Sequence, residues 1–149
     1  MKLFHTFILS ILILLLSNNV VDASSRKGVL KGPISGEVLQ VLDGDTMAVS
    51  VNVWLGQNVI TKLRIDGIDT PEMKGKCDSE IMRAKEAREE IISLIKNNKI
   101  EVYDIRNGKY AGRVLAKVKT IEGIDLGKHM IEKGFARPYK GKKRKGWCA

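Results

Sequence analysis

From Gly36 onward, apolar and polar residues alternate in runs rich in β-branched side chains, which predicts strands over Gly36–Leu42, Thr46–Val53 and Val59–Ile68. Asp43-Gly44-Asp45 and Leu55-Gly56-Gln57-Asn58 separate them as turns short enough for a meander. The period then changes. Ala84, Ala87, Ile91, Leu94 and Ile95 recur at three- and four-residue steps on one helical face, with Asp78 or Ser79 as cap and Asn97-Asn98 as stop. Alternation returns over Lys99–Ile105 and Arg113–Thr120, and a short helix from Asp125 to Lys133 ends at Gly134. Five short strands with a helix between the third and fourth fit a small barrel, closed or partly closed, better than a sandwich, which needs about seven strands. The fold class is therefore α+β, and the OB-fold is such a barrel.

Upstream of Gly36 the pattern differs. Lys2 and His5 precede an apolar stretch from Phe7 to Leu16, then polar residues and Val21-Asp22-Ala23. The stretch is shorter than the roughly 20 residues of a membrane span but suits a signal peptide over residues 1–23, cleaved after Ala23. An uncleaved anchor is the alternative. Residues 24–35, with Ser24, Ser25, Gly28, Gly32 and Pro33, read as a flexible lead-in to a single domain over residues 36–149. Localisation follows as exported, either periplasmic or secreted.

The 149 residues carry 26 Lys and Arg against 17 Asp and Glu, and losing Lys2 and Asp22 with the signal segment leaves the net charge at +9. A small domain this basic favours polyanions through counterion release, and oligonucleotides are common ligands of OB barrels. Charge alone does not separate nucleic acid from anionic lipid or acidic polysaccharide. The two cysteines, Cys77 and Cys148, read as one disulfide in an exported chain, since one histidine (His129) after residue 23 and no CxxC pair cannot complete a zinc set. The run Lys140-Gly-Lys-Lys-Arg-Lys145 reads as a solvated basic tail. Trp54 and Trp147 read as packing residues, and His129 as a surface or semi-buried helix residue.

Three carboxylates can converge at one barrel rim: Asp45 in the first turn, and Asp69 and Glu72 beyond the third strand. Singly, each has a plain explanation as a turn residue. Arg64 and Arg113 change the weighing, because guanidinium forks grip phosphate and stay charged at physiological pH. Hydrolysis of a phosphodiester needs charge stabilisation at phosphorus and an oriented water. A divalent cation with two arginines supplies the first and a carboxylate the second.

Three motifs, Val41-Leu42-Asp43-Gly44-Asp45-Thr46, Leu63-Arg64-Ile65-Asp66-Gly67-Ile68-Asp69-Thr70-Pro71-Glu72 and Lys109-Tyr110-Ala111-Gly112-Arg113-Val114-Leu115-Ala116, occur in this order. Through them the chain resembles the staphylococcal nuclease (thermonuclease) family over Gly36 to about Tyr139. The resemblance implies an OB-fold barrel and a calcium-dependent endonuclease acting on DNA and RNA and leaving 3′-phosphate ends. It implies Asp45, Asp69 and the Thr70 carbonyl as Ca²⁺ ligands, Glu72 as the group that orients or deprotonates water, and Arg64 and Arg113 on the phosphate. Lys109 and Tyr110 would face a flanking phosphate, and Tyr139 would stand in for a base-stacking tyrosine. Tyr-Ala-Gly-Arg replaces the family's Tyr-Gly-Arg, and the chain stops at Cys148-Ala149 where the family continues into a helix, so Cys77–Cys148 is expected to pin the terminus instead.

Two other functions compete: a nucleic-acid-binding OB module with weak or no catalysis, and a secreted polyanion binder. The first would lack a carboxylate or an arginine of the set, and all five are present; the second leaves the motifs unexplained. The expected partners are DNA and RNA, with a monomeric protein and no stable membrane association after cleavage. One structural demand follows from spacing. Arg64 and Asp69 are five residues apart, so an unbroken strand would point them to opposite faces, and Gly67 is the place for a bend that brings both to one centre.

Overall fold

The computed structural model describes residues 28–148, so the expected signal peptide lies outside the described residues. Five strands form a closed barrel: β1 (Ile34–Asp43), β2 (Thr46–Trp54), β3 (Gln57–Ile65), β5 (Lys99–Asn107) and β6 (Arg113–Thr120). A two-residue strand β4 (Ile68–Asp69) pairs outside the barrel with β7 (Arg137–Pro138). Helix α1 (Asp78–Leu94) separates β4 from β5, and α2 (Leu126–Glu132) follows β6. The barrel order is β1-β2-β3-β6-β5; β3 and β6 run parallel with Lys62 opposite Arg113, and β1 closes on β5. This is the expected α+β OB-type barrel, with its helix between the third and fourth barrel strands.

Alternation explains the interior. Met47, Val49 and Val51 on β2, Leu63 and Ile65 on β3, Ile100 and Val102 on β5, and Ala116 and Val118 on β6 are buried. Helix α1 covers one end with Ala84, Ala87 and Ile91, which are fully buried, as the three- and four-residue spacing requires. It starts one residue earlier than expected: Cys77 is the N-cap, without a side-chain capping bond. Asp125 caps α2 by accepting from the Lys128 N–H at 3.0 Å. Before β1, Leu30 bridges Ile105 through backbone bonds of 2.9 and 2.8 Å, so the chain joins the barrel from Leu30.

The β1–β2 turn lies hard against α1. A Cβ on Gly44 would sit 2.7 Å from the Ala87 Cβ and 3.2 Å from the Thr70 Cγ2. Ala87 has no rotamer to yield, so Gly44→Ala must push turn and helix apart. A destabilisation of about 1–3 kcal/mol is expected, read from the urea midpoint; an unchanged midpoint would contradict this packing.

Trp54 is not a packing residue. At the tip of the β2–β3 hairpin it is 73% exposed, beside Leu55 at 88%. His129 is half-buried in α2, with Nε2 2.6 Å from the Glu90 carboxylate of α1.

Candidate active site

Strand β3 ends at Ile65, Asp66-Gly67 turn, and β4 resumes at Ile68. Gly67 has φ +85, a left-handed conformation, with no atom near its absent Cβ. Conformation, not space, therefore requires glycine here. The bend brings Asp69 to the side of the barrel rim where Arg64 lies: Arg64 Nη2 is 3.8 Å from Asp69 Oδ1 and donates to the Ile68 carbonyl at 3.4 Å.

Asp45 and Asp69 are 2% and 1% exposed. Asp45 Oδ1 accepts from Arg64 Nη1 at 2.6 Å and from the Thr46 hydroxyl at 2.8 Å, and Oδ2 accepts from the Thr70 N–H at 3.3 Å. Burial still pushes the Asp45 carboxyl above its ordinary 3.8, outweighing Arg64 and these hydrogen bonds. The pocket thus disfavours the Asp45 charge unless more positive charge arrives.

The loop bearing Glu72 is held by two other carboxylates. Asp43 Oδ1 accepts from the Met73 N–H at 3.2 Å, and Glu80, buried in the first turn of α1, accepts from the N–H groups of Glu72 at 3.4 Å and Lys76 at 3.0 Å. Glu80 escaped the sequence reading, although an acid four residues before Ala84 on the apolar stripe marks it as a buried group with a backbone task. Cys77, at the end of this loop, is joined to Cys148 with the Cα atoms 6.0 Å apart.

The C-terminal segment is not a free tail. Pairing of β4 with β7 sets Arg137 opposite Asp69, and Arg137 Nε and Nη2 donate to Asp69 Oδ2 at 3.1 and 2.9 Å. The Trp147 indole N–H donates to the same oxygen at 3.1 Å, and the Arg137 guanidinium stacks 4.2 Å from the Trp147 ring. Arg144 reaches further: Nε bonds Asp69 Oδ1, Nη1 bonds Glu72 Oε1, and Nη2 donates to the Thr70 carbonyl at 2.9 Å. Lys140, Lys142, Lys143 and Lys145 are exposed, as a solvated tail requires, but Arg144 turns inward, and Trp147 does more than pack. The signal available was the composition of the run itself, but nothing local says that a basic run will meet carboxylates 72–75 residues away.

Beside these groups opens a cleft of about 660 Å³ lined by Arg64, Lys109, Arg113, Lys142, Lys143 and Arg144, with Glu72 as its one carboxylate. Tyr110 and Tyr139 form aromatic walls. Tyr110 is 60% exposed, with the Arg113 guanidinium 5.0 Å and the Lys109 ammonium 5.8 Å from its ring centre. Tyr139 also borders an adjoining cavity of about 390 Å³ beside Arg64 and Leu115. Among the described residues the Nε–H of Arg113 is buried without an acceptor. That N–H is left to an acceptor from outside the protein.

The donor set suits a hard divalent cation. Asp69, the Thr70 carbonyl and Glu72 present oxygens to one positive group, the Arg144 guanidinium, whose N–H donors stand where a cation would be attracted. Asp45 lies against the same loop, its Oδ2 accepting from the Thr70 N–H. All-oxygen sets of carboxylate and carbonyl are calcium-type rather than zinc-type.

Residues 62–146, more than half of the chain, match the family described as staphylococcal nuclease homologue. An "Uncharacterized endonuclease" of Escherichia coli is 29% identical over 114 residues, covering 74% of this chain and 65% of that protein. A "Probable endonuclease" of Phaeosphaeria nodorum is 32% identical over 91 residues, covering 59% of this chain and 30% of that protein. The chain thus spans less than two thirds of the length of either relative. The family match holds Arg64, Asp69, Thr70, Glu72, Arg113 and Arg144. It begins after Asp45, which joins the site by geometry.

Proposed function

Because the chain belongs to the staphylococcal nuclease homologue family, we propose that it is an exported, calcium-dependent endonuclease that hydrolyses phosphodiester bonds in DNA and RNA to leave 3′-phosphate ends. One observation carries the reading: a cleft lined by six cationic side chains, with Glu72 at its edge, meets the oxygens of Asp69 and Thr70. A passive polyanion surface has no use for buried, costly carboxylates beside its cations.

Asp45, Asp69 and the Thr70 carbonyl would hold calcium, which would supply charge stabilisation at the phosphate oxygens. Arg64 binds the phosphate from the rim while its Nη1 keeps Asp45 oriented. Arg113 offers the Nε–H that lacks an acceptor, and Lys109 with Tyr110 lies along the same wall for the neighbouring phosphate. Glu72, with its backbone fixed by Glu80, orients a water and takes its proton. Tyr139 is a stacking surface for a base. Arginine is too weak an acid to serve as proton donor, so the guanidiniums act by charge.

Among the described residues, no helix is long and apolar enough to cross a membrane, and a disulfide belongs to an oxidising compartment. The disulfide supports export to periplasm or medium, and a monomer acting on nucleic acid needs no membrane contact.

Incubating the purified protein with circular single-stranded DNA and with RNA in calcium tests the reading. Linearised circles and fragments whose 3′ ends need phosphatase before polymerase extension are expected. Intact circles and intact RNA would overturn it.

A further inference from the structure

Within the cation site of the proposed nuclease, the geometry points to Arg144 as a built-in competitor for the metal: its guanidinium occupies the cation position and must leave before calcium binds. The inference rests on the calcium-site reading above.

Its three donor nitrogens go to the three groups that a metal and an activated water need, Asp69 Oδ1, the Thr70 carbonyl and Glu72 Oε1. Among the described residues, no acceptor of the Arg144 guanidinium lies outside this set.

Charge gives the second argument. Asp45, Asp69 and Glu72 are matched one for one by the arginines bonded to them, Arg64, Arg137 and Arg144, so this bonded set is neutral as it stands. Adding a dication with all three arginines in place would give +2 in a pocket whose aspartates are almost fully buried. Exchanging Arg144 for the dication keeps the bonded set at +1, one unit lower, beside the Arg113 guanidinium of the cleft.

Lone pairs give the third. Asp69 Oδ2 already receives Arg137 twice and Trp147 once. Only Oδ1 can turn to a metal, and Arg144 holds it.

Of these arginines, Arg144 is the one free to leave. Arg64 and Arg137 are 13% and 28% exposed at their side chains, against 34% for Arg144. The backbone around it is pinned without its help. The Tyr139 hydroxyl donates to the Lys142 carbonyl at 2.5 Å, Arg137 Nη1 donates to the Gly146 carbonyl at 3.1 Å, and Cys148 is bonded to Cys77. A side chain on such a strap swings out while staying local, and beside Lys142 and Lys143 it lines the cleft where phosphate would bind. A tethered competitor lowers the fraction of competent sites, and apparent affinity falls by the same factor.

Calorimetric titration of calcium into the oxidised protein tests this, comparing wild type with Arg144→Ala and with Arg144→Gln, which keeps the length but not the charge. Both variants are expected to bind calcium about ten-fold or more tightly than wild type. In wild type, modification of Arg144 by an arginine-selective dicarbonyl, read by peptide mass, is expected to rise several-fold when calcium is added. Equal or weaker calcium binding by the variants, or Arg144 reactivity indifferent to calcium, overturns the competitor while leaving the nuclease reading standing. Calcium binding by none of the three proteins overturns both.

Discussion

Replacing Arg113 by alanine is expected to lower kcat/KM on DNA by about a hundred-fold or more, the loss typical when one preorganised charge at the reacting phosphate is removed. Stability should not follow activity down. Among the described residues the Arg113 Nε–H has no acceptor, so its deletion costs no hydrogen bond of that group within the protein. The packing lost is a guanidinium face on the exposed Tyr110 ring, a contact of about 0.5–1 kcal/mol. An inactive variant with a urea midpoint close to wild type is the expected pair of results. Cleavage at the wild-type rate would remove Arg113 from the reaction, and a large loss of stability would make it a structural residue.

Glu72→Gln has the other large effect. The amide keeps the shape of the side chain and loses the basicity, so kcat is expected to fall by about 10²–10⁴ with KM little changed. The loop should stay in place, because its bonds to Asp43 and Glu80 use backbone N–H groups and not the Glu72 carboxylate. Steady-state kinetics on a short oligonucleotide separates the two constants. A raised KM with kcat intact would instead make Glu72 a binding residue.

The sequence revealed the barrel because its strands bury one face: period two in β2, β3, β5 and β6 maps directly onto Met47, Val49, Val51, Leu63, Ile65, Val102 and Val118 inside. Helix α1 was legible for the same reason, through Ala84, Ala87 and Ile91. Half of the site could also be read, since Arg64, Asp69 and Glu72 lie within nine residues and the bend between them needs Gly67. The other half could not. Strands β4 and β7 are two residues each, too short for any periodicity, yet their pairing delivers Arg137 to Asp69. A basic run near the terminus has the composition of a solvated tail, and only the three-dimensional convergence of Asp69, Thr70 and Glu72 turns Arg144 into a site residue. Glu80 and Trp147 act on backbone and carboxylate partners that adjacent sequence does not announce.

These additions alter the charge account of the centre. With only Arg64 and Arg113 counted, calcium is needed to balance three carboxylates. Counting only the arginines bonded to them, Arg64, Arg137 and Arg144 already balance the three carboxylates, and on the proposed reading calcium enters by exchange with Arg144. Metal dependence is then a property of the reaction and not of folding, so the chelated protein should remain folded and inactive.

The most direct test of the central claim is a parallel digest of DNA by the purified protein in calcium, in magnesium and in chelator, with circular dichroism on the same samples. Rapid cleavage in calcium, none in chelator and an unchanged spectrum in all three is the predicted result. Equal cleavage in calcium and chelator, or none in any arm from a folded protein, would contradict it.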